Sequence, residues 1–394
     1  MKASTTGNFV PLAEAMPLSR RTPSLAQILL AFATIGLCLA LAHSQRIADS
    51  WHKTDGEDWD FFSYDKNNIS SLGDCFMKRG FFPGLYRPLS TNLYYHLGGK
   101  LFGHRSEAYH AINLALLVLN GFLLYYLATL FFPPYIALVP PAFFVSRISH
   151  LEVVVNICEC QSLLATFFSL LALNLFFWGR SRERFGLELA ALPCLVLAFL
   201  SKESSFAVPA ILMVFGMLFD RLRFWGHYLL PLALTAAWAA LFVLVLRDLN
   251  EGMATGFKYN FSSAHILKNL TAYMLSFSNL LVSPLDNYRM VTCIVALKER
   301  LPLLVCVSAT LVALGGFLVA QLYFWRGRLR SLRVAAFGLT IFVVGILPFV
   351  FFDGRLFMRY GYFSHLGLAL VLGACAHAVI KTLIARSRIY FSGA

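Results

Sequence analysis

Long apolar runs separated by short polar interruptions set the pattern of the chain, at residues 25–43, 107–132, 134–148, 162–178, 186–200, 205–220, 227–246, 301–323, 334–352 and 360–381. A helix needs about 20 apolar residues to cross a bilayer core, and the longer runs meet that length. Pro133, Pro134, Pro140 and Pro141 predict a kinked or broken third span, because proline removes a helix donor and clashes with the preceding turn. Ala42-His43-Ser44-Gln45 is a poor cleavage site, so 25–43 reads as a first span rather than a leader. The pattern predicts an all-α polytopic membrane protein of about ten (ten to twelve) transmembrane helices.

Basic clusters orient these spans. Arg180, Arg182 and Arg184, then Arg221 and Arg223, then Arg326, Arg328, Arg330 and Arg333, and finally Lys381, Arg386 and Arg388 fall between or after apolar runs. All become cytosolic if both termini are inside and residues 264–285 form an interfacial or re-entrant helix rather than a single crossing. The expected division is a cytosolic tail at 1–24, a membrane domain at 25–381 and a basic cytosolic tail at 382–394. A first extracytoplasmic loop then occupies 44–106, and a second outer segment occupies 247–300. The same face receives 149–161, 201–204 and 353–359.

Composition narrows the class. Of 394 residues, 58% are hydrophobic and 13% charged, against about 45–50% apolar in soluble domains. The net charge of +13 lies in interhelical clusters and not along one stripe, so the partner is the lipid bilayer and not nucleic acid. Eight cysteines form no paired framework, and Cys158-x-Cys160 lacks a second ligand pair for zinc. No metal site is expected.

The polar groups on the expected outer face are the candidate chemistry, since ionisable residues within or at the edge of a membrane are functional candidates by default. The densest acid cluster holds Asp55, Glu57, Asp58 and Asp60. Tyr86-Arg87-Pro88 and Arg359-Tyr360 each set a guanidinium beside an aromatic ring, and such forks match phosphate geometry. Lys202-Glu203 interrupts an otherwise apolar stretch in a turn between two spans. His150, Glu152 and Glu159 gather at 149–161; on a continuous helix the two glutamates, seven apart, would share a face. His110 and Asn113, one turn apart, have the spacing to hydrogen-bond a loop or ligand. Asn68-Ile69-Ser70, Asn260-Phe261-Ser262 and Asn269-Leu270-Thr271 match the glycan-acceptor pattern.

In order along the chain, Glu57-Asp58-Trp59-Asp60, Tyr86-Arg87-Pro88-Leu89, Tyr109-His110-Ala111-Ile112-Asn113, His150-Leu151-Glu152 with Glu159, Leu200-Ser201-Lys202-Glu203, Leu347-Pro348 and Arg359-Tyr360-Gly361-Tyr362 resemble the GT-C superfamily of membrane glycosyltransferases. The resemblance is nearest to the TMTC-type, protein O-mannosyltransferase-like branch and covers roughly residues 25–375. It departs from that pattern where Ile148-Ser149 stands in place of His-Pro, and in carrying no tetratricopeptide region after the last span. The resemblance implies a GT-C-like bundle that moves a sugar, with inversion, from a polyprenyl-phosphate-linked donor to a protein, lipid or glycan acceptor. It implies a bacterial plasma membrane, or the endoplasmic reticulum membrane in a eukaryote, with the site on the extracytoplasmic side. Asp58, with Asp60 or Glu57 as substitute, would be the base. Tyr86, Arg87, Lys202, Arg359 and Tyr360 would surround the phosphate. His110, Asn113, His150, Glu152, Glu159 and Glu203 would support them. No cofactor is required, and a divalent metal has no ligand set behind it. A lipid or solute transporter, a flippase and a non-catalytic scaffold of the same fold are the competing classes.

Overall fold

A computed structural model describes residues 22–53, 56–78, 86–220, 226–247, 258–277, 329–353 and 357–392. These form helices α1 (Leu25–Ser50), α2 (Gly56–Asn68), α3 (Leu72–Met77), α4 (Tyr94–Phe102), α5 (Ser106–Ala128), α6 (Val139–Val145) and α7 (Leu151–Val155). They continue with α8 (Cys160–Arg182), α9 (Phe185–Phe199), α10 (Ala207–Phe215), α11 (Gly226–Arg247), α12 (Ser263–Phe277), α13 (Leu329–Val350) and α14 (His365–Ser392). Lys258–Tyr259 pairs antiparallel with Phe352–Asp353.

Among the described residues, five helices are long and apolar enough to cross a membrane, within α1, α5, α8, α13 and α14. Apolar helices at Ile136–Val145, Phe185–Phe199, Glu203–Phe219 and Gly226–Leu241 are shorter. Lengths and composition therefore fit a helical membrane protein. The third run is broken as its prolines predict: a 3-10 turn at Ile136–Leu138 leads into α6, whose first turn carries Pro140 and Pro141. The span expected at 301–323 lies outside the described residues, as do 1–21, 278–285, Arg221, Arg223, Arg326 and Arg328.

Two boundaries differ from expectation. Helix α1 runs on to Ser50, started by a capping box in which Ser24 and Gln27 satisfy each other's backbone N–H groups. Helix α14 continues to Ser392, so most of the expected basic tail is helical. Charged residues are good helix formers, and a hydropathy boundary is not a helix boundary. Of the three glycan-acceptor patterns, Asn269 is buried and donates to the Val350 carbonyl at 2.9 Å, which removes it as an acceptor.

The core lies where α5, α8, α10, α13 and α14 meet. Helix α8 is its centre, with 72% of its apolar window buried, against 17% for α1. Phe177 of α8 stacks on Phe215 of α10 with centroids 3.7 Å apart, and both meet the edge of Phe337 from α13. A second aromatic cluster of Phe61, Phe62, Tyr95 and Tyr109 fastens α2 and α4 over the start of α5. Gly98 makes room for it, since a Cβ there would stand 2.6 Å from the Tyr109 ring. The described parts of 44–106 thus form a packed helical cap.

Helices α13 and α14 cross glycine on glycine. A Cβ on Gly367 would stand 2.1 Å from the Gly338 carbonyl oxygen. Gly367→Ala is expected to cost about 1–3 kcal/mol through overpacking, read as a lower Tm in detergent. Gly36→Ala in α1, where a Cβ meets nothing within 4 Å, should leave Tm unchanged or raise it.

Candidate functional site

Four segments converge at the end of the bundle where α8 begins. Helix α9 stops at Phe199, and Lys202 takes an extended conformation before the 3-10 turn Glu203–Phe206. The stretch after Tyr86 docks on this turn through two bonds, Leu89 N–H to the Leu200 carbonyl (3.1 Å) and Ser90 Oγ to the Ser201 carbonyl (2.6 Å). That docking aims Arg87 at Glu203. Arg87 Nε donates to both Glu203 oxygens at 2.9 Å, Nη2 donates to Oε2 at 2.5 Å, and Nη1 donates to Gln161. Burial works against the Arg87 charge, but Glu203 beside it more than compensates, so its pKa rises.

Lys202 points the other way. Its ammonium donates to Ser162 Oγ at 2.6 Å and lies 3.4 Å from Glu159 Oε2, while Ser162 in turn donates to Glu159 at 2.5 Å. Both charged side chains are only 3% exposed. Burial pulls the Lys202 pKa below its usual range, with Glu159 opposing. The other Glu159 oxygen meets Arg359 Nε at 3.2 Å, and Arg359 Nη1 reaches Glu152 at 3.7 Å. Tyr360 stacks on Phe349 with centroids 4.5 Å apart, and Lys202 Nζ lies 5.8 Å from the Tyr360 ring. Three cations and three carboxylates therefore form one network, next to a small pocket lined by Ser162, Thr166, Lys202, Ser204, Arg359 and Tyr360.

Glu152 and Glu159 do not share a helix. Asn156 is extended (φ −90°, ψ 118°) and separates α7 from the 3-10 turn Ile157–Glu159. Both glutamates nonetheless reach Arg359, because the break folds the two short helices around it.

Of the expected acid cluster, Asp58 sits beside this network. Asp58 is 1% exposed, and its carboxylate accepts from the N–H of Cys158 at 2.7 Å and of Ile157 at 3.4 Å. It thereby caps the turn that carries Glu159, supplying acceptors to donors that the Asn156 break leaves without helix partners. Asp60, two residues on, faces solvent. Glu57 lies in α2, with its side chain outside the described residues, as is Asp55.

The remaining candidates hold backbone. Tyr86 Oη donates to the Phe76 carbonyl at 2.8 Å. His110 Nε2 lies 2.9 Å from the Lys53 carbonyl, and Asn113 donates to the Asn156 carbonyl at 3.1 Å. His150 contacts the Phe144 carbonyl through Nδ1 (2.8 Å) and His365 through Nε2 (2.9 Å), and His365 lies 3.1 Å from the Tyr273 carbonyl. Burial pushes the His150 pKa well down. This imidazole pair joins α6, α12 and α14 just behind the Arg359 turn. Among the described residues, no group of three metal-ligating side chains occurs.

Sequence reasoning missed Gln161, Ser162, Thr166, Ser204 and the His365 partnership. Gln161 and Ser162 follow Glu159 directly, and Thr166 is one turn beyond Ser162 on the same face. That spacing was the available signal, but small polar residues are common at helix contacts in membranes.

Asp58→Ala should lower stability by about 1–3 kcal/mol, the cost of leaving buried donors without their acceptor. Asp60→Ala should stay within about 0.5 kcal/mol, as an exposed substitution; thermal unfolding of both in detergent checks the contrast. No protein-family model matches the chain, and neither curated proteins nor solved structures give a match.

Proposed function

We propose that the chain is a membrane glycosyltransferase with a GT-C-like bundle, moving a sugar from a polyprenyl-phosphate-linked donor to a protein, lipid or glycan acceptor with inversion. The observation that carries the reading is the buried network of Arg87, Lys202 and Arg359 with Glu203, Glu159 and Glu152 at one end of an apolar bundle. Buried charge is costly unless paired and hydrogen-bonded, and in a membrane protein it is expected where function needs it. A departing phosphate gains charge as the glycosidic bond breaks. Lys202 and Arg359, which border the pocket, would stabilise that charge where it develops.

The base in this proposal is Asp58, by position. Its carboxylate contacts Cys158, the neighbour of Glu159, whereas Asp60 points to solvent from another side of α2. Of the described backbone bonds to Asp58, the 3.4 Å contact with Ile157 is the weaker, and an acceptor hydroxyl would replace it. The site would face the extracytoplasmic side with both termini cytosolic. In support, Arg180 and Arg182 close α8 about 30 Å from Glu159, at 1.5 Å per residue. The equal count of cations and carboxylates also suits a second reading, a non-catalytic scaffold braced by this network.

Transfer from a polyprenyl-phosphate sugar in membranes separates the two. Asp58→Asn and Lys202→Met should each lower the rate by about a hundredfold or more, while Asp60→Asn keeps it. Full activity in both aspartate variants removes the catalytic assignment.

A further inference from the structure

Apart from the charged network, the helical cap encloses a second pair of ionisable groups. Asp65, in the second half of α2, faces His96 of α4, with Oδ1 and Nδ1 3.6 Å apart. That separation is too long for a hydrogen bond. The two side chains are only 16% and 5% exposed, and Asp65 Oδ1 and His96 Nε2 are buried atoms with no hydrogen-bond partner among the described residues. Two polar groups are packed face to face without being joined.

One proton would join them. With the carboxylate ionised and the imidazole neutral, the pair carries a negative charge where little water reaches it. Uptake of one proton makes the pair neutral overall, either as an imidazolium facing a carboxylate or as a carboxyl donating to the ring. Both forms are cheaper to bury than the bare negative charge. The surroundings do not supply that neutralisation. Lys66 of α2 and Lys100 of α4 are exposed, and neither forms an ion pair with Asp65 among the described residues. Cys75 of α3 has its thiol pKa raised, chiefly by burial, and Tyr109 of α5 donates its hydroxyl to the Gly103 carbonyl at 3.0 Å, so both stay uncharged at neutral pH and below. The Pro88–Leu93 segment beside α4 has no ionisable side chain, and the Ile157–Glu159 turn meets α2 at Asp58, two helical turns before Asp65.

We infer that Asp65 and His96 form a proton-operated clasp, which tightens the helical cap as the surrounding medium becomes acidic and loosens it toward neutral pH. Helix α2 also carries Asp58, so the clasp bears on how that carboxylate is seated. Needing no substrate, it operates whatever the neighbouring site transfers. Linkage gives the same direction. Burial is the larger influence on the Asp65 carboxyl and raises its pKa, with His96 and Lys100 opposing. A proton held more tightly in the closed cap than in the open chain stabilises the cap fully below about pH 4, the ordinary carboxyl value. That stability is lost as pH rises through the raised value.

Cys75, fully buried in α3, reports the opening of the cap. Its reaction with a dipyridyl disulfide is followed by mass spectrometry on the full chain in detergent, at about pH 4.5 and about pH 7.5. Each rate is divided by that of the denatured chain at the same pH, so that the thiol's own titration cancels. Wild type is expected to react about three- to tenfold faster at the higher pH, the equivalent of one hydrogen bond lost. Asp65→Asn should react equally at both and more slowly than wild type at the higher pH. His96→Gln should react faster than wild type at the lower pH, where the pair holds its proton, and it carries the test alone if Asp65→Asn does not fold. A wild-type rate that is unchanged by pH, or that rises in acid, overturns the clasp, as does a wild-type pH response that survives in both variants. A Cys75 that reacts at neither pH shows a cap that does not open, and overturns it as well.

Discussion

Burying charge in an apolar bundle is the constraint on which the rest of the structure depends. Removing an ion from water costs several kcal/mol even after relaxation, and only close pairing with further hydrogen bonds offsets it. Arg87 meets this with a forked contact to Glu203, and Lys202 meets it through Ser162 and Glu159. Each pair joins segments far apart in the chain, 116 residues for Arg87–Glu203 and 43 for Lys202–Glu159. The network therefore fixes how the helical cap, the start of α8, the 201–206 turn and the Arg359 turn meet.

Hydrogen bonds to backbone do the positioning around it. Asp58 caps the turn before α8, Asn113 holds the Asn156 carbonyl, and Asn92 holds the carbonyls of Cys75 and Lys78. The His150–His365 pair braces the Arg359 turn from behind. Three contacts run through that pair, to Phe144, between the rings and to Tyr273, whereas two neutral imidazoles carry two N–H groups. The pair is thus short of one proton when neutral, and its geometry depends on the packing of Phe144 and Tyr362 against His150.

The site was legible in the sequence where charge interrupts hydrocarbon. Arg87, Lys202, Glu203, Glu159 and Arg359 each stand out in this way, and the structure brings them together. Their partners did not stand out, because Gln161 and Ser162 are unremarkable at the start of an apolar helix. The shared face expected for Glu152 and Glu159 failed on one backbone torsion at Asn156, which no periodicity encodes. The helical class and the broken third run followed from hydropathy and proline. The helical cap did not, because its order comes from the aromatic contacts of Phe61, Phe62, Tyr95 and Tyr109 rather than from local pattern. The number of spans was the least legible feature: among the described residues five helices are long and apolar enough to cross, and the other apolar helices are shorter.

The most direct measurement is an electron cryomicroscopy structure of the chain with a polyprenyl monophosphate bound. The account places phosphoryl oxygens about 2.7–2.9 Å from the Lys202 ammonium and the Arg359 guanidinium, with Arg87 still forked on Glu203. Phosphate density elsewhere, with the Lys202–Glu159–Arg359 network unchanged, would contradict it.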